Sequence, residues 1–309
     1  MAERDDVRRG LARRFELIEW RAFWVGRVNR SDIEECFGVS TPQASVDLRS
    51  YQEAAPGNLE YDSTEKAYVP TTTFQPKFLR VSADRYLLQL DAILNGAIST
   101  TDTWFRSPPP ATVMPTIVRS VDPNILRAVL RAIQGRAELQ IVYQSLTNTR
   151  TRWIAPHSLG FDGHRWHTRA WCVERNEFRD FVLGRIRSIG EARSSVANPT
   201  NDMEWNTIVE LKITPHPHLG EAQRSVIEHD FGMTNGLLVL PTRAALAFYL
   251  IKRLNLDLEI KYISPERQQL FLINHKEIEE ALRTAKDKTA RLISGHAVAC
   301  EGVYPYGSQ

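Results

Sequence analysis

Between Leu139 and Ile189 the chain carries eight arginines (Arg150, Arg152, Arg165, Arg169, Arg175, Arg179, Arg185 and Arg187) and no lysine. A guanidinium is planar and always charged, and it grips phosphate or carboxylate through two parallel hydrogen bonds. Tyr143, Trp166, Trp171 and Phe181 are interleaved with these cations. Aromatic rings stack on bases, and arginine can stack as well as pair. The residue types therefore suit capture of an anion that bears a ring. Bond-making chemistry is poorly served. His157, His164, His167 and Cys172 cluster, but without a C-x-x-C or H-x-x-x-H pair, and Asp162 is the only acid close by. On a strand His164 and His167 point to opposite sides. The sequence has no G-x-S-x-G, no P-loop and no G-x-G-x-x-G, so neither a nucleophile elbow nor a cofactor cradle is expected, and no metal.

The elements that must position these groups read as short strands. Leu139, Ile141 and Tyr143 alternate onto one face. Asp162-Gly163 is a hairpin turn, and the run Arg165 to Trp171 follows it. There Arg165, His167, Arg169 and Trp171 share one face; Trp166, Thr168, Ala170 and Cys172 share the other, where Cys172 is expected as a buried thiol. A last run, Phe178 to Leu183, ends in Gly184-Arg185-Ile186. The segment reads as a small antiparallel sheet, rolled up, with cations on part of one face. For any single arginine, a solvated surface ion pair is the alternative role.

Five blocks in this stretch carry a resemblance: Ile141-Val142-Tyr143; Arg152 with Pro156-His157; Trp166-His167-Thr168 with Ala170; Arg179-Asp180-Phe181; and Arg185-Ile186. In residues and spacing the stretch resembles a WYL domain. His167 and Thr168 stand where the name-giving triplet has tyrosine and leucine. That variant, with Arg165 before it and Arg169-Ala170 after it, is similar to WYL repressors found beside bacterial anti-phage operons of the BREX and CBASS kinds. The resemblance implies an Sm/SH3-like barrel that senses a nucleic acid or nucleotide. It places Tyr143, Ser145, Arg152, His157, Trp166, His167, Arg169, Phe181 and Arg185 at or beside the ligand.

The totals are those of a globular chain of two or three domains: 309 residues, 42% hydrophobic, 25% charged, net charge +2. No apolar run approaches the ~20 residues that span a bilayer. The charged start MAERDDVRRG is unlike a secretory signal. Three scattered cysteines, Cys36, Cys172 and Cys300, fit a reducing cytoplasm rather than a disulfide framework.

Ahead of the arginine-rich segment, residues 6–52 read as three helices. Leu11, Phe15, Ile18, Ala22 and Val25 give the first an apolar face. Ser31-Asp32-Ile33-Glu34 reads as a capping box opening the second, and Gly38 turns the chain. Thr41-Pro42 starts the third, a hydroxyl cap followed by proline. Its inner face is Ala44, Leu48 and Tyr51. Its outer face is small and polar, able to approach base edges. Helix, glycine turn and capped helix is the helix-turn-helix pattern, whose second helix enters the major groove N-terminal end first. A hairpin over residues 58–69 would make it winged. Arg30, Ser40, Thr41, Gln43, Ser45, Val46, Arg49, Ser50, Lys66 and Tyr68 are the expected DNA contacts. Met1–Gln52 has nine arginines and nine acids, so this is no basic domain, and a protein-interaction bundle stays open.

The expected domains are a winged helix-turn-helix (1–72), a helical dimerising connector (73–120), the WYL unit (121–192), a C-terminal module (203–290) and a tail (291–309). In the connector, Phe78 to Ile98 reads as amphipathic helix and Pro108-Pro109-Pro110 as a rigid break. Asp122-Pro123 opens a helix closed by Gly135. Ala192 to Asp202 reads as linker. Beyond it come a strand with Val209, Leu211 and Ile213 inward, a helix over Gly220 to His229, a strand from Gly236 to Leu240, a helix from Thr242 to Leu254 capped by Thr242, and a helix near Pro265 to Thr284. His216-Pro217-His218 reads as a loop. Strand and helix in alternation point to an α/β sandwich, and the resemblance implies a ferredoxin-like one. The whole is α+β and multidomain. The expected function is a homodimeric repressor on an inverted-repeat operator of double-stranded DNA, relieved by an anionic ligand such as a nucleotide or single-stranded nucleic acid. An enzyme acting on nucleotides and an activator with the same parts are the alternatives.

Overall fold

The computed structural model describes residues 2–115, 117, 119–258 and 263–301, with only the backbone given for 2–9 and 295–301. It divides into two compact units, residues 1–117 and 118–309.

In the first unit, α1 (Ala2–Val25), α2 (Arg30–Phe37) and α3 (Thr41–Ala54) enclose a core of Phe15, Leu17, Ile18, Ile33, Ala44, Leu48 and Tyr51. Ala44, Leu48 and Tyr51 face inward as their spacing predicts. The cap of α2 lies two residues earlier than the Ser31–Glu34 frame. Asn29 accepts from the Asp32 amide and Asp32 accepts from the Asn29 amide, while the Ser31 hydroxyl donates to the Asn29 side chain at 2.6 Å. Two overlapping frames fit the box; the backbone of Asn29 is extended, so the earlier one forms. Gly38 takes the left-handed turn. Ser40, not Thr41, precedes α3, and Pro42 falls in its first turn.

β1 (Leu59–Asp62) and β2 (Ala67–Pro70) form the wing, and Val28 bridges to Tyr68. Asp62 accepts from the amides of Thr64 and Glu65 and so shapes the turn. α4 (Ala83–Leu94), capped by Ser82, is shorter than the run from Phe78 to Ile98. Leu79 is core but not helical. The cause is Glu19, fully buried, whose carboxylate accepts from the amides of Lys77, Phe78 and Leu79. Those three bonds hold residues 77–79 as a strap, and the helix starts only after Ser82, whose hydroxyl accepts from the Arg85 amide.

The second unit begins with α5 (Pro123–Gly135), capped by Asp122. Gly135 is still helical; Arg136 takes the left-handed position, with φ 49°, that glycine was expected to fill. α5 covers a five-stranded antiparallel sheet of β3 (Ala137–Gln144), β4 (Thr149–Phe161), β5 (Trp166–Cys172), β6 (Glu177–Val182) and β7 (Ile186–Ser194). The strand order is β6-β5-β4-β3-β7, so β6 and β7 are edges that do not pair with each other. A closed barrel is therefore not what the described residues form. Register shifts interrupt the ladders near His157, Gln140 and Tyr143. These bulges locally break strict alternation.

The linker is not the featureless stretch its composition suggests. β7 extends to Ser194, a 3-10 turn spans Pro199–Asn201, and Asp202 is fully buried, capping the short helix α6 (Met203–Asn206). The C-terminal sheet has β8 (Ile208–Pro215) between β9 (Leu238–Arg243) and β10 (Leu270–Leu272). α7 (Glu221–Asp230), α8 (Ala244–Arg253) and α9 (His275–Glu301) complete the module. Val209, Leu211 and Ile213 lie in its core as expected. Thr242 lies within β9 and Arg243, its last residue, precedes α8, so Thr242 does not cap that helix; Pro265 lies outside α9. His216, buried at the end of β8, accepts from the His218 amide, the loop role its sequence suggests. Among the described residues the module has three strands. The tail beyond Glu301 lies outside the described residues.

Candidate nucleic-acid interface and ligand cavity

The outer face of α3 is built by locking its inner one. Tyr51 is fully buried; its hydroxyl donates to Glu19 at 3.0 Å and accepts from Asn58. Burial, then the Glu19 charge, hold the Tyr51 phenol well above its ordinary value, so it stays a donor. Asp47, also buried, pairs with Arg14 at 2.7 Å and accepts from Gln43 at 2.9 Å. Thr41, Gln43, Val46 and Arg49 are exposed; Ser45 and Ser50 are half-buried. The Ser45 hydroxyl bonds the Thr41 carbonyl. The Arg49 side chain has no hydrogen-bond or ion-pair partner among the described residues, nor do Arg30 and Lys66, both exposed. Ser40 is exposed as well. Tyr68 is half-buried and packs edge-on against Tyr61, which is the more exposed ring of the wing. The acids of the wing remain close by: Arg27 pairs with Glu65 at 3.1 Å.

The arginine-rich sheet separates into two environments. In the first, Arg152, Arg179 and Arg185 line a cavity of about 250 Å³ with Tyr143, Ser145, Asn148, Asp180 and Phe181. Tyr143 and Phe181 meet edge to face at 5.2 Å, and the Tyr143 hydroxyl accepts from the Val182 amide. Ser145 is tied into its turn by Asn148. Arg179 pairs with Glu177 at the rim. Arg152 and Arg185 have no carboxylate partner among the described residues. Arg152 Nη1 lies 3.9 Å from Cys172 Sγ, so Cys172 is buried as expected but not on a face remote from the arginines. Burial pushes its thiol up.

The second environment is a buried ionic knot. Arg169, only 5% exposed, donates to Asp202 from Nε at 2.7 Å and from Nη2 at 3.0 Å. It also reaches Glu204 at 2.9 Å and Asp180 at 3.4 Å. His157 Nε2 lies 3.1 Å from the same Asp202. Burial alone would raise the Asp202 carboxyl, but hydrogen bonds from His157 and Arg169 hold it below its ordinary value. His167, 2% exposed, bonds Asp162 at 2.7 Å and packs against the Tyr249 ring. Trp166 is half-exposed against Phe161, away from the cavity.

Five of the nine ligand candidates therefore share the cavity: Tyr143, Ser145, Arg152, Phe181 and Arg185. His157, Trp166, His167 and Arg169 do not line it. The cations expected to share one face of the run Arg165 to Trp171 are each engaged there: Arg165 and His167 bond Asp162, and carboxylates from outside the arginine-rich segment neutralise Arg169 on the interior strand β5. Sequence reasoning missed Asn148 and Arg179 as lining residues, and missed the role of Asp202. Nothing in a Ser/Asn/Pro-rich stretch marks one aspartate as buried. No group of residues that could hold a metal ion occurs among the described residues.

With this geometry in view, residues 10–92 match the BrxR transcriptional regulator winged helix-turn-helix domain. Residues 124–190 match the WYL domain, and residues 208–278 the C-terminal dimerization domain of BrxR transcriptional regulators. The chain is 38% identical over 282 residues to the DNA-binding transcriptional repressor CapW of Escherichia coli, covering 91% of this chain and 94% of that one. It is 37% identical over 284 residues to CapW of Stenotrophomonas maltophilia, covering 91% and 95%, and 37% identical over 285 residues to CapW of Pseudomonas aeruginosa, covering 91% and 94%. The chain belongs to this family of WYL-domain transcriptional regulators. In the family's terms, the exposed face of α3 lies in the winged helix-turn-helix, the cavity in the WYL domain, and α8 in the dimerization domain. No helix among the described residues is long and apolar enough to cross a membrane.

Proposed function

We propose that this chain is a DNA-binding transcriptional repressor rather than an enzyme, acting in the cytoplasm as a homodimer on an inverted-repeat operator of double-stranded DNA. The observation that carries the reading is the outer face of α3. It is polar, exposed and free of internal partners at Arg49, in a chain 38% identical to a repressor over nearly its full length. Its N-terminal end would read base edges while Arg30 and Lys66 meet phosphates. The C-terminal module, read as ferredoxin-like, would supply the two-fold pairing that a palindromic site requires.

The WYL cavity would take an anionic ligand, a nucleotide or the end of a single-stranded nucleic acid. Arg152 and Arg185 offer guanidinium groups that no carboxylate among the described residues occupies, beside two aromatic rings. The ligand relieves repression only if it favours one dimer geometry over another. The resemblance of the WYL segment to repressors found beside anti-phage operons implies such an operon as the target.

The test is a gel shift of the full chain on the DNA upstream of its own gene, at fixed salt. Retarded, competable binding that Arg49→Ala weakens at least tenfold supports the reading. Binding indifferent to that change removes α3 as the reader. A reporter in cells lacking the gene gives the sign of regulation.

A further inference from the structure

Among the described residues Asp180 is the one acid lining the cavity, and both of its oxygens are engaged by residues that do not line it. Oδ1 accepts from Arg169 at 3.4 Å, and Oδ2 accepts from the Tyr249 hydroxyl at 3.0 Å. Tyr249 belongs to α8, in the middle of the C-terminal module. Arg169 is held in turn by Asp202 and Glu204, which lead into that module. Tyr249 is not a cavity residue, yet its ring also packs on His167, 5.1 Å between centroids, so its position is fixed from two sides.

We infer that Asp180 and Tyr249 are the positioning pair through which occupancy of the cavity acts on α8 and the dimerization module. An anion drawn in by Arg152 and Arg185 brings negative charge against the Asp180 carboxylate. Like charges in a partly desolvated wall repel strongly. Asp180 can relieve this only by drawing back onto the partners behind it, Arg169 and the Tyr249 hydroxyl. The anion thereby tightens the tie between β6 and α8, which without ligand competes with the pull of the cavity cations on the same carboxylate. The groups facing Asp180 are Arg169 and Tyr249 behind it and the cavity cations Arg152, Arg179 and Arg185 before it. This inference rests on the cavity being the anion site.

Coupling is reciprocal, which supplies the test. If an anion tightens the tie, removing the tie beforehand frees Asp180 to compete for Arg152 and Arg185 and makes the anion bind more weakly. The experiment uses the full chain, calorimetry with a 5′-phosphorylated tetrathymidylate, and amide exchange of α8. Tyr249→Phe keeps the ring and removes only the hydroxyl. Expected are a three- to tenfold loss of oligonucleotide affinity and faster exchange in α8 without ligand. Asp180→Asn should also speed α8 exchange, but it removes the charge that opposes the anion and so should raise affinity; adding Tyr249→Phe to it should change affinity little further. Arg185→Ala should abolish binding without speeding ligand-free α8 exchange. If Arg185→Ala removes binding but Tyr249→Phe leaves affinity and exchange at wild-type values, the relay is overturned and the cavity stands. If wild type fails to bind, or Arg152→Ala and Arg185→Ala bind as wild type does, the cavity reading falls and takes the relay with it.

Discussion

At the scale of single residues, guanidinium groups of one short segment do opposite jobs because of what surrounds them. Arg169 is enclosed by Asp202, Glu204 and Asp180, and burial, which would lower its proton affinity, is outweighed by hydrogen bonds and charge from those acids. Arg152 and Arg185 face a cavity with no acid bound to them among the described residues. Removing Arg169 leaves carboxylates buried without a counter-charge, which typically costs about 3–5 kcal/mol. Arg169→Leu is therefore expected to lower the melting temperature of the second unit by several degrees, whereas Arg185→Ala leaves it nearly unchanged; differential scanning calorimetry checks both. The same knot has a pH signature. Asp202 and Asp162 both have folded-state pKa values below their unfolded ones, Asp162 because hydrogen bonds from His167, Arg165 and two backbone amides outweigh burial. Their contribution is complete above the unfolded value of about 3.9 and is lost as pH falls below it. Melting temperature measured from pH 6 to pH 3 should hold down to about pH 4 and then drop. A steady decline beginning near pH 6 would point to histidine instead.

At the scale of elements, α3 depends on one carboxylate of α1. Glu19 satisfies the Tyr51 hydroxyl and three successive amides of the strap 77–79. Glu19→Ala strands those donors in the core, and each unsatisfied group costs about 1–3 kcal/mol. The first unit should then unfold at markedly lower urea concentration, with operator affinity falling alongside. Glu19→Gln, which keeps an acceptor oxygen, should recover part of both. The cap of α2 is a milder case: Asn29→Ala should cost roughly 1 kcal/mol in the same urea titration, while Ser31→Ala should cost less, because Asn29 accepts from the helix amide.

At the scale of the whole molecule, the balance of charge makes DNA binding a matter of placement. The net charge is +2, and the exposed, unpaired cations proposed to meet DNA are Arg30, Arg49 and Lys66 in each head. A dimer carrying about six such contacts should show a log–log salt slope of about −5. Fluorescence anisotropy between 50 and 300 mM salt measures it. A slope of about −3 would mean that the heads do not engage together.

The sequence by itself determined the parts. Capping residues, glycine and proline set the ends of α2, α3, α5, α7 and α8 to within a residue or two, and alternation marked β3, β5 and β8, because these are local effects of backbone conformation and burial; the ends of α4 and α9 were set by packing instead. The arginine-for-lysine bias marked the sheet that holds the cavity, and the spacing of α3 marked its outward face. Only the tertiary structure decided which arginine is free and which is bound. That choice depends on Asp202 and Glu204, more than thirty residues from Arg169 and on another element. It likewise showed Asp180 reaching Tyr249 across 69 residues. Pairing of charges at such separations is set by how sheets and helices pack, and no local pattern records it.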